Sequence, residues 1–175
     1  MKKILAFGAS NSQNSINKKL ASYTANLFEN ATVEVLDLND FEMPIYSIDR
    51  EKKDGLPQLA HDFYDKITAC NMLIISFAEY NGAYTSSFKN IFDWISRVNS
   101  KTFQEKPTLL MSTATGPRGG ATVLEIAKNR FPFQGADLKG TFILPSFNTN
   151  FNDETGIIDP ELKQELLKLV NEIDF

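Results

Sequence analysis

The stretch Lys3–Leu20, KILAFGASNSQNSINKKL, limits what this chain can fold into more than any other. An apolar run, Ile4 to Phe7, stops at Gly8 and gives way to small hydrogen-bonding residues: Ser10, Asn11, Ser12, Gln13, Asn14, Ser15 and Asn17. Apolar residues resume at helical spacing with Ile16 and Leu20, so the stretch reads as strand, loop, helix. Ser15 or Asn14 fits the helix N-cap. The N–H groups of the following turn, at the positive end of the helix dipole, suit an anion such as phosphate. A polar loop that merely caps a helix has the same composition, and this stretch alone does not separate the two readings.

The rest of the chain repeats the alternation. Ser15–Glu29 carries Ile16, Leu20, Tyr23 and Leu27 on one helical stripe, and Thr32–Leu38 alternates as a strand does. Asn39–Gly55 reads as a long polar connection whose charge run, Asp49 to Asp54, is a solvated face. Leu56–Cys70 is a helix with Pro57 near its start, and Met72–Phe77 is a continuous apolar run suited to a strand buried on both faces. In the helix Ser87–Asn99 the stripe is Phe88, Ile91, Phe92, Ile95 and Val98, which leaves Trp94 off it and partly exposed. Pro107–Thr113 is a fourth strand, Ala121–Phe131 a helix, Leu138–Leu144 a weaker fifth strand. Leu162, Leu166, Leu169 and Ile173 mark the last helix.

Five strands alternating with five helices across residues 1–175 predict a single α/β domain, a doubly wound three-layer sandwich on a parallel sheet of order 2-1-3-4-5. In that order the chain reverses direction between strands 1 and 3, and a ligand crevice opens at their carboxyl ends. The loops Ala9–Asn17, Ala78–Ser86 and Ala114–Gly120 are expected to converge there.

Composition narrows the partners. The 175 residues are 42% hydrophobic and 11% aromatic, enough for a sizeable core, and 18 basic against 22 acidic residues give a net charge of -4. That balance argues against nucleic acid and against an anionic membrane surface. One cysteine, Cys70, excludes an intrachain disulfide and a cysteine zinc cage and fits a reducing compartment. Cys70 and the single His61 read as packing or surface residues. Met1–Phe7 imitates the start of a secretory signal, but its apolar part is too short, and no run reaches the roughly 20 apolar residues of a membrane span. A soluble cytoplasmic protein is the expectation.

The three loops offer complementary chemistry. The first supplies backbone N–H groups and the side chains of Ser10, Ser15 and Asn17, without the lysine of a P-loop or the spacing of a dinucleotide fingerprint. The second, Ala78-Glu79-Tyr80-Asn81-Gly82-Ala83-Tyr84, pairs aromatic surfaces with a glycine that admits a flat ligand, although Asn81-Gly82 equally suits a plain turn. The third, Thr115-Gly116-Pro117-Arg118-Gly119-Gly120, brings N–H groups and one cation, or a bland glycine-rich turn. Together they fit a ligand with a phosphate at one end and a planar hydrogen-bonding ring at the other, as in flavin mononucleotide (FMN).

At this point the chain resembles the NADPH-dependent FMN reductases, flavodoxin-like proteins that include quinone, azo-dye and chromate reductases. The resemblance rests on Ala9-Ser10-Asn11-Ser12-Gln13-Asn14-Ser15-Ile16-Asn17, on Ala78-Glu79-Tyr80-Asn81-Gly82-Ala83, and on Phe88-Lys89-Asn90-Ile91-Phe92-Asp93-Trp94. It implies a flavodoxin-like fold and an NAD(P)H-dependent oxidoreductase. Hydride would pass from NADPH or NADH to flavin N5 and then to a flavin, a quinone or a similar small-molecule acceptor. It further implies that Ser10, Ser15, Ile16 and Asn17 hold the FMN phosphate and that Glu79, Tyr80, Asn81 and Gly82 follow the ring edge. Ser112, Gly116, Arg118, Gly119 and Gly120 would then face the other edge. A homodimer or homotetramer with an interface near Phe92, Trp94 and Arg97 is also implied. A flavodoxin-type electron carrier is the alternative; a receiver-type signalling domain would need acidic residues where Gly8-Ala9 and Phe77-Ala78 stand.

The chain departs from the family pattern at Ser12, where arginine is usual, at Ala9 and Ala78, and at Thr85-Ser86 in place of Pro-Gly. Losing that arginine removes a charge-assisted contact worth about 1.5–3 kcal/mol. FMN binding is therefore expected to be weaker, or helped by Lys18 or a second subunit.

Overall fold

Apolar runs become parallel strands where both of their faces can be covered. In the computed structural model, which describes residues 1–175, they are β1 (Lys2–Ala9), β2 (Ala31–Leu36), β3 (Met72–Phe77), β4 (Lys106–Thr113) and β5 (Ala136–Leu144). All pair in parallel in the order β2-β1-β3-β4-β5, as the alternation predicts. The helices are α1 (Ile16–Ala25), α2 (Ile48–Asp54), α3 (Gln58–Thr68), α4 (Ser86–Val98), α5 (Ala121–Arg130), α6 (Phe147–Asn150) and α7 (Pro160–Glu172).

Alternate residues of the central strands enter opposite layers. Ile4, Ala6, Ile74 and Met111 pack with Leu20 and Ala21 of α1 and with Leu166 and Val170 of α7. Leu5, Phe7, Ile75, Phe77 and Leu110 meet α3, α4, α5 and the 3₁₀ turn Phe131–Gln134 that follows α5, where Phe63, Phe88, Phe92 and Phe131 form a largely aromatic layer. Each fully buried ring contributes about 1.5–3 kcal/mol relative to exposure, so this layer is a major part of the core.

Register positions the site. Ala9 pairs with Phe77 and Phe77 with Ser112, so β1, β3 and β4 end at one level and their following loops start side by side. Gly8 sets the approach of α1. A Cβ there would lie 2.3 Å from the Lys18 nitrogen and 2.8 Å from the Asn17 carbonyl carbon, so only glycine lets the start of the helix rest on β1.

Three differences from the sequence reading have clear causes. Helix α1 ends at Ala25 rather than Glu29, where Asn26 turns its own N–H and amide back onto the Ser22 carbonyl. The connection Asn39–Gly55 contains a short 3₁₀ turn, Leu38–Phe41, and α2, capped by Ser47 Oγ on the Arg50 N–H at 3.1 Å. Trp94 is fully buried, because residues 43–51 of the same chain cover its face of α4. Its Nε1 donates to the Pro44 carbonyl at 2.7 Å, the Tyr46 ring meets it edge-on at 5.0 Å, and Arg97 pairs with Glu51 at 3.0 Å. That face, expected to meet a second subunit, is already occupied. Between β5 and α7 the chain adds a small antiparallel hairpin, β6 (Phe151–Asn152) with β7 (Gly156–Ile157), which folds over Tyr23. No helix is long and apolar enough to cross a membrane.

Candidate functional site

A crevice of about 270 Å³ lies at the carboxyl ends of β1, β3 and β4, walled by all three expected loops. From the first come Ser10, Ser12, Asn14, Ser15, Ile16 and Asn17; from the second Ala78, Glu79 and Tyr80; from the end of β4 Thr113 and from the third loop Ala114 and Thr115. A larger depression of about 660 Å³ crosses the outer face of α1, but its lysines, Lys18 and Lys19, are bound to Asp37 and Asp153. No set of three or more acidic, histidine or cysteine side chains is placed to hold a metal ion. The crevice is where unpaired donors converge.

Ser15 is the N-cap of α1, its Oγ accepting from the Lys18 N–H at 3.1 Å, and Ser10 Oγ accepts from the Ser12 N–H at 3.1 Å. A hydroxyl that accepts from the backbone keeps its own proton to donate, so both serines offer an O–H. The N–H groups of Ile16 and Asn17 have no partner in the chain, as the first turn of a helix requires. The Asn17 side chain does something else. It is buried at 2% exposure, its Nδ2 donating to the Thr113 carbonyl at 3.0 Å while Oδ1 accepts from Ser76 Oγ at 2.7 Å and the Thr113 N–H at 3.0 Å. Lys18 is not free either: its Nζ lies 2.6 Å from Asp37 Oδ2. That bond, with the Asn39 N–H, holds the Asp37 carboxyl below its usual range.

The second loop is a two-residue hairpin. Asn81 and Gly82 take φ of 53° and 75°, and Tyr80 and Ala83 exchange backbone bonds at 3.1 and 3.2 Å, the geometry of a type I′ turn. Asn81 and Gly82 lie outside the crevice wall. Their turn leaves Tyr80 at the mouth, 53% exposed. Glu79 is committed to the fold, its Oε2 accepting from the Val123 N–H at 2.9 Å in the first turn of α5. Thr85 joins this loop to the first, capping the Phe88 N–H and donating to the Ala9 carbonyl at 3.0 Å.

In the third loop the N–H groups of Ala114, Thr115, Gly116, Arg118 and Gly120 have no partner in the chain, and of these residues Ala114 and Thr115 line the crevice. Gly119, Gly120 and Ser112, expected at the site, have packing duties. Gly119, at φ 57°, leaves room for Ile143, 2.5 Å from where a Cβ would sit, and Gly120, at φ 80°, starts α5 directly above Ser112. Ser112 is wholly buried beneath it and does not reach the crevice. Arg118 bonds Thr122 Oγ1 at 2.8 Å on the exposed side of α5. Ser12 and Ala78, noted only as departures from the family pattern, and Asn14, noted only as a possible cap, also line the wall, as do Thr113, Ala114 and Thr115. The sequence signal for the last three is adjacency to the end of β4.

The family model for NADPH-dependent FMN reductases matches residues 2–174. The chain belongs to that family. Among curated proteins it is 29% identical over 154 residues to an uncharacterised protein of Mycoplasma pneumoniae, covering 85% of this chain and 90% of that one. It is also 29% identical over 80 residues to a quinone reductase of Escherichia coli (strain K12), spanning 46% of this chain and 43% of that one. The fold matches a flavoenzyme NAD(P)H:acceptor oxidoreductase from Paracoccus denitrificans at a TM-score of 0.78 and 21% identity, over 98% and 94% of the two chains. An azoreductase from Bacillus anthracis matches at 0.68 and 17%, over 99% and 100%. The architecture is flavodoxin-like.

As an FMN reductase family member the chain is an enzyme whose cofactors are FMN and NAD(P)H. The residues present fit FMN. Converging neutral O–H and N–H donors at the start of α1 suit its phosphate, and the exposed Tyr80 together with the unpaired N–H groups of Ala114 and Thr115 suits a flat polar ring.

Proposed function

We propose that this chain takes a hydride from NADH or NADPH and delivers electrons to a small-molecule acceptor of the flavin, quinone or azo class, residues 1–175 acting as one flavodoxin-like unit. The observation that carries this reading is the meeting of unpaired donors from α1 and the third loop in one crevice at the switch point of the sheet. When bound, FMN supplies hydride acceptance at N5 and electron delivery, chemistry for which the crevice has no side chain of its own. Ser10, Ser15 and the N–H groups of Ile16 and Asn17 hold the phosphate. The Glu79–Gly82 turn borders the ring and sets Tyr80 beside it. Thr115 and Gly116 donate to the opposite edge and favour negative charge there. The mouth is open, so nicotinamide and acceptor occupy it in turn.

A homodimer or homotetramer belongs to the same reading. Ile45 and Ile48, 80% and 55% exposed, form an apolar edge that a second copy would cover. The purified protein should turn yellow with FMN, bleach with NADH or NADPH under nitrogen, and sustain turnover with a quinone. Protein that stays colourless in excess FMN overturns the reading. Protein that binds FMN yet does not oxidise reduced nicotinamide is an electron carrier instead.

A further inference from the structure

Asn17 lines the crevice, yet its side-chain amide is spent on β3 and β4 while its own N–H has no partner in the chain. Its carboxamide is a copy of a peptide group, and it is used as one. β3 ends one residue short of Thr113, so on that side the Thr113 N–H and carbonyl have no strand to pair with. Asn17 fills the gap, donating from Nδ2 to the carbonyl and accepting the N–H on Oδ1, while Ser76 Oγ gives Oδ1 a second bond from β3. The helix start is thus fixed to the tips of two central strands. On its other side the close approach at Gly8 fixes it to a third.

We infer that Asn17 is a positioning residue: it holds the phosphate donors of α1 in register with the Thr113–Thr115 wall without its side chain touching the ligand. This rests on the FMN reading above. The link joins two stretches of the crevice wall, since Ile16 and Asn17 line it from α1 and Thr113 and Thr115 from the end of β4 and the loop after it. Only a carboxamide serves. A carboxylate would set an oxygen against the Thr113 carbonyl and bury a charge, and an apolar side chain would orphan three buried groups.

The test compares FMN with riboflavin, which lacks the phosphate, by fluorescence titration of flavin-free protein. Two variants are used: N17D, and S76A, which removes one bond to Oδ1 and alters no atom of the crevice wall. N17D should weaken FMN binding by about tenfold or more and S76A by about threefold, with riboflavin affinity changed by less than about twofold in both. Wild-type protein that binds no FMN overturns the reading of the site itself. Wild-type binding with FMN affinity unchanged in both variants, or with equal losses for the two flavins, overturns the positioning role alone. If N17D does not fold, S76A decides.

Discussion

Tyr84 sits among the rings of Phe77, Phe88, Phe92 and Phe131, with centroids 5.3–6.4 Å away, and its buried hydroxyl has no hydrogen-bond partner. Burial holds the phenol well above the ordinary tyrosine range, so the group stays neutral. A buried polar atom left unpaired costs about 1–3 kcal/mol, whereas phenylalanine would keep the packing and remove the cost. Tyr84→Phe should therefore raise the unfolding free energy by about 1 kcal/mol in denaturant titration; a loss would reveal a partner for the hydroxyl. Cys70 shows the same physics in a residue whose role was legible. It is buried, its Sγ donates to the Ile67 carbonyl at 3.2 Å, and burial pushes the thiol up to about 11, which makes it the small packing residue its position between helix and strand implies. Asn17 was legible only in part. Its place on the loop could be read, but the direction of its amide depends on where β3 stops and on Thr113, ninety-six residues further along the chain.

Among the elements, those with a long apolar period were recognised, α1 with its end four residues too late, and the failure at α2 shows why. Its seven residues, IDREKKD, have no core stripe, so periodicity has nothing to detect. The usable signals were at its ends: Ser47 as cap, Asp49 and Glu51 in the first turn, Lys52 and Lys53 in the last, and Gly55 beyond, a charge order that complements the helix dipole. Missing that helix meant missing what it covers, which is why Trp94 was placed at the surface. A second link between elements predicts acid behaviour. Glu34 of β2 binds Lys3 of β1 at 2.5 Å and Lys66 of α3 at 2.7 Å, and these two ammonium groups hold its carboxyl below the ordinary glutamate value of 4.5. A carboxylate depressed on folding adds stability that is present above its unfolded value and lost as pH falls through its folded one. Thermal midpoints of Glu34→Gln should lie below wild type at neutral pH and converge with it as pH drops below 4.5. Parallel pH profiles for the two proteins would exclude the clamp as a source of stability.

At the scale of the whole molecule, the strand order and the meeting of three loops were readable because they depend only on alternation and right-handed crossovers. The charge environment of the site was not, because pairs form between elements that sequence does not juxtapose. Lys18, three residues past Ser15, was one of two candidates expected to help hold a phosphate but is held by Asp37, just past the carboxyl end of β2. With Arg118 turned outward, the only ionisable group with a carboxylate or cation lining the crevice is Glu79, and it is bound to α5. The proposed phosphate donors are therefore neutral, in a chain of net charge -4. A site built on unpaired lysine or arginine loses affinity as salt screens the attraction, the screening length falling from about 30 Å at 0.01 M to about 3 Å at 1 M. Here there is no such attraction to lose, and salt instead weakens the mild repulsion between an acidic protein and a doubly charged phosphate. FMN affinity measured across that range should stay level or rise by up to about threefold. A fall of about tenfold or more would place a free cation at the phosphate, by Lys18 leaving Asp37 or by a basic side chain from a second subunit, and the neutral donor set would then be the wrong account of how this crevice holds its cofactor.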